Sequence, residues 1–178
     1  MNIEELYDKV ANTYNQSTSS KVLNKAKKIA LDLMIAHRQS LQSILALGTG
    51  DGSDLLLYQK HYPSSELHGL DISKNMLEKA KAHLNFVPYH GDISQASSLI
   101  HKHDFDLITA HFVTAYLPLS ATLREAQNLL SQHGVISIIT NTKTSFPNGQ
   151  AMLANLKKSV KSKFCCKFPF IRPIELVI

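Results

Sequence analysis

The chain has 178 residues, 44% of them hydrophobic, and carries 19 basic and 14 acidic side chains. This length and apolar content predict one soluble domain with a substantial core. No apolar run approaches the ~20 residues that a membrane-spanning helix needs, and the amino terminus is acidic, so neither a membrane span nor a secretory signal is expected.

The excess positive charge lies at one end of the chain. Residues 1–150 hold 13 basic and 13 acidic side chains, whereas residues 151–178 hold six basic and one acidic. A solvated helix face explains this most simply, and a surface for acidic partners stays open as an alternative. Nucleic acid is not expected as a partner. The adjacent Cys165 and Cys166 fit no disulfide framework or metal spacing, which favours a reducing, cytoplasmic location.

Helical and strand-like patterns alternate along the chain. Apolar periodicity predicts helices over 3–14 and 20–37, the second from Val22, Leu23, Ala26, Ile29, Ala30, Leu33 and Met34. Short apolar runs predict five strands, at 44–47, 67–70, 86–89, 106–110 and 135–140. Helices are predicted between them at 53–61, after a Ser73 cap, and at 119–130. This order predicts a doubly wound α/β fold with a mostly parallel sheet.

A glycine-rich loop follows the first predicted strand. Residues 44–52 read Ile-Leu-Ala-Leu-Gly-Thr-Gly-Asp-Gly, which places Gly48, Gly50 and Gly52 around Thr49 where the next helix begins. Glycines let the backbone approach a ligand closely, and a helix start offers free N–H groups. Asp71 ends the second strand, where a carboxylate can accept hydrogen bonds from a ribose diol. The pattern predicts a nucleoside-bearing cofactor, although an ordinary turn and a helix-capping aspartate stay open.

Spacing separates two classes of cofactor. A dinucleotide fingerprint needs Gly-x-Gly-x-x-Gly, and its third position falls here on Ser53. Gly-x-Gly-x-Gly after a strand, with an acid at the next strand end, resembles the class I (Rossmann-like) S-adenosylmethionine-dependent methyltransferases over residues 7–140. The resemblance implies a transferase with S-adenosylmethionine as cofactor and S-adenosylhomocysteine as product. It also implies a single domain: a helical cap (1–40), a cofactor-binding core (41–142) and a basic carboxy-terminal segment (143–178).

The resemblance assigns further residues to the cofactor site. Ile72 would pack on the adenine, Asp92 would accept from its amino group, and Ile93 would offer a backbone contact. His111 ends the fourth predicted strand, where its main chain would contact the cofactor. Its imidazole is a weaker candidate for a general base. Core packing for Ile72 and a turn role for Asp92 stay open.

The acceptor is expected to be a small molecule. Residues 7–15 resemble the Tyr-Asp-x-x-Ala-x-x-Tyr-Asp lead-in of small-molecule methyltransferases, which implies that Tyr7 and Tyr14 line the acceptor pocket with Phe112. Helix packing is the alternative for both tyrosines. Residues 111–118 lack the Asn/Asp-Pro-Pro-Tyr motif of amino-methyltransferases acting on bases. No metal ligands stand at a recognisable spacing, and no metal is expected.

Two departures from the family pattern leave other functions open. Ala46 stands where the family normally has an acid that receives the methionine ammonium. After residue 140 there is room for barely one more strand, although residues 150–162 have a helical pattern. We therefore expect either that the chain is cut from a longer protein, or that the last strands of the sheet are lost or supplied by a partner. A non-catalytic or degenerate S-adenosylmethionine-binding domain of a larger protein is one alternative, and a nicotinamide oxidoreductase is the other.

Overall fold

The computed structural model describes residues 2–16, 18–114 and 116–140. Its α-helices are α1 (Ile3–Val10), α2 (Thr18–His37), α3 (Ser53–His61), α4 (Lys74–Lys81), α5 (Ala96–Leu99) and α6 (Leu119–Leu129). Its strands are β1 (Ser43–Leu47), β2 (Glu66–Asp71), β3 (Val87–His90), β4 (Phe105–His111) and β5 (Leu130–Ile139). Two 3₁₀ turns follow α1 and β3, at Ala11–Gln16 and Ile93–Gln95.

The five strands form one sheet in the order β3-β2-β1-β4-β5, and every described pair is parallel. The carboxyl ends of all strands therefore meet at the same edge. Strand order reverses beside β1, whose neighbours are β2 and β4. Open α/β sheets bind ligands at such a reversal, so the fold itself points to the crevice above β1 and β4.

The core consists of one apolar layer on each face of the sheet. On one face, α2 and α3 pack through Met34 and Leu55 against Ile44 of β1. On the other, Leu129 of α6 and Ile100 pack against the opposite side chains of the same strands. Because strand side chains alternate between faces, neighbouring residues of β1 and β4 supply both layers. The two layers hold the carboxyl edge of the sheet in a fixed shape.

The doubly wound, mostly parallel α/β fold predicted from the sequence is confirmed. Each predicted strand is present; the first four lie within one residue of their predicted bounds, and the fifth differs most. The predicted helix over 3–14 stops as an α-helix at Val10 and continues as a 3₁₀ turn. Helix α5 was not predicted, because its four residues are too few to show a helical period. The predicted helix over 150–162 and the question of missing strands lie outside the described residues.

Two expectations were wrong in detail. Ile29 was expected on the buried face of α2, but its side chain is 38% exposed and Leu31 is buried instead. β5 begins at Leu130 rather than at residue 135, directly after α6. A register shift makes this possible: Leu130 pairs with Phe105, whereas Val135 pairs with Leu107. Local periodicity does not reveal such an irregularity, because tertiary pairing creates it.

In the part of the chain that the structure describes, no helix combines the length and apolarity needed to cross a membrane.

Candidate cofactor-binding site

A single pocket at the carboxyl edge collects most of the residues predicted for the site. It encloses about 780 Å³, open solvent at its mouth included. Ten of the twelve predicted cofactor and acceptor residues line it: Tyr7, Tyr14, Gly48, Gly50, Asp71, Ile72, Asp92, Ile93, His111 and Phe112. Thr49 and Gly52 do not.

The glycine loop crosses the floor of the pocket and is tied to the neighbouring strand. Gly48 and Gly50 have φ angles of 78° and 54°, in the left-handed region, which favours glycine. The Gly48 N–H donates to the carbonyl of Leu70 at 2.8 Å. A Cβ built on Gly50 would meet no atom within 4 Å, so this position faces open space. The loop thus presents bare main chain to whatever occupies the pocket.

Asp71 stands at the tip of β2 and is fixed by two backbone donors. Its Oδ2 accepts from the Gly50 N–H at 2.7 Å, and its Oδ1 accepts from the Ser73 N–H at 2.9 Å. Burial raises the pKa of this carboxyl, although the backbone N–H groups partly oppose the shift. Each carboxylate oxygen has two acceptor sites. Asp71 can therefore keep both bonds and still accept two hydrogen bonds from a diol.

Thr49 and Gly52 support the loop from behind. The Thr49 hydroxyl lies 3.2 Å from the Leu70 carbonyl, and its side chain occupies the space beside Gly69 that a Cβ there would need. Gly52 is the N-cap of α3 with φ 80°, and a Cβ on it would lie 2.9 Å from that of Ala80. Both residues face the protein rather than the pocket, so neither offers a side-chain contact to a ligand.

The walls beyond Asp71 are apolar with one acid at the rim. Ile72 and Ile93 are half-buried and both line the pocket. Asp92 is exposed and caps the 3₁₀ turn by accepting from the Ser94 N–H at 2.7 Å. The turn role of Asp92 is therefore present, and this bond uses one of its two carboxylate oxygens. Two aliphatic side chains and a carboxylate at their edge suit a flat heterocycle that carries an amino group.

Tyrosines form the outer part of the pocket. The hydroxyls of Tyr7 and Tyr116 are 2.8 Å apart, and their rings meet edge to face at 5.6 Å. The Tyr14 ring lies 6.2 Å from that of Tyr7. Burial is the main cause that raises the pKa of both Tyr7 and Tyr14. These phenols therefore stay protonated near neutral pH and can donate hydrogen bonds.

The contacts of the His111 side chain argue against its use as a general base. Its Nδ1 lies 2.9 Å from Oδ2 of Asp54, and its Nε2 lies 2.9 Å from Oγ of Ser137. Both ring nitrogens are thus engaged inside the protein, and the side chain is 1% exposed. A base must bring a free nitrogen within hydrogen-bond reach of its substrate. The main chain of His111, at the end of β4, is what this residue can offer to a ligand.

Among the residues that the structure describes, four that line the pocket were not predicted from the sequence: Ile3, Val113, Tyr116 and Leu117. Three of them lie in the segment just after β4. Because ligands bind at the carboxyl ends of strands, these three could have been predicted by extending the candidate segment beyond Phe112. Ile3 lies across the pocket on α1, and no local pattern distinguishes it from a packing residue. Asp54 and Ser137, the partners of His111, lie 57 and 26 residues away in sequence, too far for any spacing argument.

Comparisons with known proteins agree with this geometry. Residues 45–136 match the family model described as a methyltransferase domain. Over 109 residues the chain is 32% identical to trans-aconitate 2-methyltransferase of Methylobacterium radiotolerans, covering 61% of this chain and 41% of that protein. Over 117 residues it is 33% identical to malonyl-[acyl-carrier protein] O-methyltransferase of Anoxybacillus flavithermus, covering 63% and 45%. The chain thus spans less than half the length of these curated relatives.

A solved structure shows the same fold. The plantazolicin methyltransferase BpumL, crystallised with a pentazolic desmethylplantazolicin analogue and S-adenosylhomocysteine, superposes with a TM-score of 0.61 at 20% identity. The match covers 86% of this chain and 56% of BpumL. The family model covers the glycine loop, Asp71, Asp92 and the end of β4, which line much of the pocket. The chain therefore belongs to the methyltransferase-domain family, and its fold is that of the class I S-adenosylmethionine-dependent methyltransferases.

Proposed function

We propose that this protein transfers a methyl group from S-adenosylmethionine to a small-molecule acceptor. The observation that carries the proposal is the hydrogen bond between Gly50 and Asp71, which brings a bare main-chain loop and a fixed carboxylate into one pocket. The family to which the chain belongs uses that cofactor, and two relatives are named for methylating trans-aconitate and malonyl-[acyl-carrier protein].

The lining residues suit an adenosyl group. Asp71 would accept from the ribose hydroxyls, Ile72 and Ile93 would enclose the adenine, and Asp92 would accept from its amino group. Gly50 leaves room for close approach, because a Cβ there would meet open space rather than protein. When bound, S-adenosylmethionine supplies a methyl group on a positively charged sulfur, an already activated donor.

The chain's own contribution to methyl transfer would be alignment and exclusion of water. Holding an acceptor in line with the methyl carbon removes much of the entropic barrier of a two-molecule reaction. Phe112, Tyr7 and Tyr14 would form the acceptor side, and the protonated tyrosine hydroxyls would orient a polar group. With His111 engaged by Asp54 and Ser137, an acceptor that is already anionic, such as a carboxylate, would need no proton removed.

Calorimetry tests the cofactor assignment. We expect saturable binding of S-adenosylmethionine and S-adenosylhomocysteine and no comparable binding of NAD. In Asp71→Asn, loss of charge on the hydrogen bonds to the ligand should weaken S-adenosylhomocysteine by ~1–3 kcal/mol. Asp104→Asn is the matched control, because this exposed acid precedes β4 at the opposite edge of the sheet. Equal affinity in wild type and Asp71→Asn would remove Asp71 from the site, and tight NAD binding alone would favour an oxidoreductase.

A second candidate, a non-catalytic S-adenosylmethionine-binding domain, is favoured by Ala46. This residue pairs with Gly69 and Thr109 in the centre of the sheet and offers no side-chain acceptor for an ammonium. Tritiated S-adenosylmethionine offered with carboxylic acids, carrier-bound malonate, phenols and amines separates the candidates. Label transfer to any of them supports an enzyme, whereas tight cofactor binding without transfer across the panel favours the second candidate.

A further inference from the structure

The imidazole of His111 connects three elements beneath the pocket. Asp54 belongs to the first turn of α3, His111 ends β4, and Ser137 lies on β5. The two bonds to the ring are both 2.9 Å long, and all three residues are buried. Because α3 begins directly after the glycine loop, this buried chain of contacts ties that loop to the exit of β4.

The contact with Asp54 involves a charge. Burial raises the pKa of Asp54, but His111 and the ammonium of Lys27 outweigh burial and leave the pKa lowered. Nζ of Lys27 lies 3.8 Å from Oδ2 of Asp54 and donates to the Ser53 hydroxyl at 2.8 Å. Asp54 therefore stays ionised, and hydrogen bonds to ionised groups are shorter and stronger than neutral ones. The ring of His111 is held firmly rather than resting in an apolar gap.

The residue that follows the ring has an unfavourable backbone conformation. Phe112 has φ 63°, in the left-handed region, although it is not glycine. Such a conformation persists only where the surroundings impose it. The Phe112 N–H donates to the carbonyl of Ile139 at 2.7 Å. The preceding residue, His111, is anchored through both of its ring nitrogens. The turn is thus fixed from β5 and from α3.

This turn places the second wall of the pocket against the first. Phe112 and Val113 both line the pocket. Cγ1 of Val113 occupies the position that a Cβ on Gly48 would need, 2.2 Å from it. The glycine loop and the exit of β4 therefore touch, and a shift of the turn would change the width of the pocket at this point.

We propose that His111 is a positioning residue, whose ring, held by Asp54 and Ser137, fixes the Phe112 turn against the glycine loop and thereby sets the affinity for the nucleoside ligand. The proposal rests on the function proposed above, since it takes the ligand to be the adenosyl cofactor. It assigns the imidazole to neither proton transfer nor direct ligand contact. The ring acts through the backbone conformation that follows it.

Calorimetry with S-adenosylhomocysteine tests the proposal on the whole chain. In His111→Gln one side-chain amide replaces two ring nitrogens, and we expect the Kd to rise at least about tenfold, the equivalent of one buried hydrogen bond to a charged group. Ser137→Ala removes only the bond to Nε2, and we expect a rise of about threefold. His101→Gln changes an exposed histidine in the segment before β4, at the opposite end of that strand from His111, and it should leave the Kd unchanged.

A stability-matched control separates positioning from packing. Ile44→Val alters the buried part of the adjacent strand β1, and its side chain packs with Met34 and Leu55 in a layer that includes no pocket-lining residue. If the role of His111 is only structural, His111→Gln and Ile44→Val should both lower the melting temperature and should both leave the Kd of the folded protein unchanged. Positioning predicts a raised Kd in His111→Gln only.

The outcomes are distinguishable. If folded His111→Gln binds S-adenosylhomocysteine within twofold of wild type, the positioning role is overturned while the cofactor assignment stands. If His111→Gln does not fold at the assay temperature, Ser137→Ala decides, and an unchanged Kd there overturns the role. If wild-type protein binds neither S-adenosylmethionine nor S-adenosylhomocysteine, the proposed function fails and this role fails with it.

Discussion

Gly50 and Gly52 differ in what surrounds the point where a side chain would begin. Both have left-handed φ angles, 54° and 80°. At Gly50 the space is open toward the pocket, whereas at Gly52 the Cβ of Ala80 stands 2.9 Å away on α4. The first glycine therefore leaves room for a ligand, and the second leaves room for a helix. Glycine is therefore needed at these two positions of one short motif for different reasons, access of a ligand at Gly50 and packing of α4 at Gly52.

Alanine substitutions at Gly50 and Gly52 should separate an effect on ligand binding from an effect on helix packing. In Gly50→Ala we expect a loss of stability of about 1–2 kcal/mol from the left-handed backbone and a raised Kd for S-adenosylhomocysteine, because the methyl group enters the pocket. In Gly52→Ala the same strain is joined by a collision with α4, so the loss of stability should be larger. Thermal unfolding and calorimetry on both variants check this. Equal stability losses, or an unchanged Kd in Gly50→Ala, would contradict it.

At the scale of elements, α1 lies over the pocket without a buried residue of its own. Polar contacts with α4 hold it instead. The Asp8 carboxylate accepts from the Ser73 hydroxyl and from the Asn75 N–H, and Nζ of Lys79 donates to the carbonyl of Ala11 just after α1. Tyr7, which reaches the pocket, is carried on this helix. Its position therefore depends on a few hydrogen bonds rather than on a core.

Removing the Asp8 carboxylate should loosen α1. We expect faster amide exchange over residues 3–10 in Asp8→Ala than in wild type, measured by hydrogen–deuterium exchange. Glu5→Ala, on the exposed side of the same helix, is the control and should exchange like wild type. Equal protection of α1 in Asp8→Ala and wild type would show that other contacts dock the helix.

The same contact gives α1 a defined response to acid. The hydrogen bond from Ser73 is the main cause that lowers the pKa of Asp8. A lowered carboxyl pKa means that the contribution is present above the ordinary aspartate range and is lost as the pH falls through the lowered value. Relative to intrinsic exchange, protection of α1 should stay constant from about pH 7 to about pH 5 and disappear below the ordinary range. Asp8→Ala should show no acid-dependent loss.

The elements also show which parts of the molecule could be predicted from the sequence. β1 and α3 carry local patterns, namely an apolar run, a glycine loop and a helix start directly after that loop, and both elements lie within one residue of their predicted bounds. Asp71 follows the same logic, because a strand tip can be located from its apolar run. The start of β5 and the partners of His111 could not be located, since they depend on contacts between residues far apart in sequence.

At the scale of the whole molecule, the sheet separates two layers of core, and no described residue belongs to both. Ile44 belongs to the layer of α2 and α3, and Ile108 belongs to the layer of α5 and α6. The strands that carry them, β1 and β4, are nevertheless adjacent. A small loss of side-chain volume in one layer should therefore change the free energy of unfolding by the same amount whether or not the other layer has been altered.

Paired substitutions test that independence. Ile44→Val and Ile108→Val should each lower the free energy of unfolding by about 0.5–1.5 kcal/mol. Their double variant should lower it by the sum to within about 0.5 kcal/mol, as expected for sites without shared partners. Urea denaturation of the three variants measures this. A deviation well beyond that margin would show that the layers communicate through the strands.

The contact between Thr49 and Gly69 limits how this protein can change over evolutionary time. The threonine side chain occupies the volume that any larger residue at position 69 would require. Among descendants of this chain, a residue larger than glycine can be accepted at position 69 only after a smaller residue has replaced Thr49. The two positions should therefore drift as a correlated pair, although neither one lines the pocket.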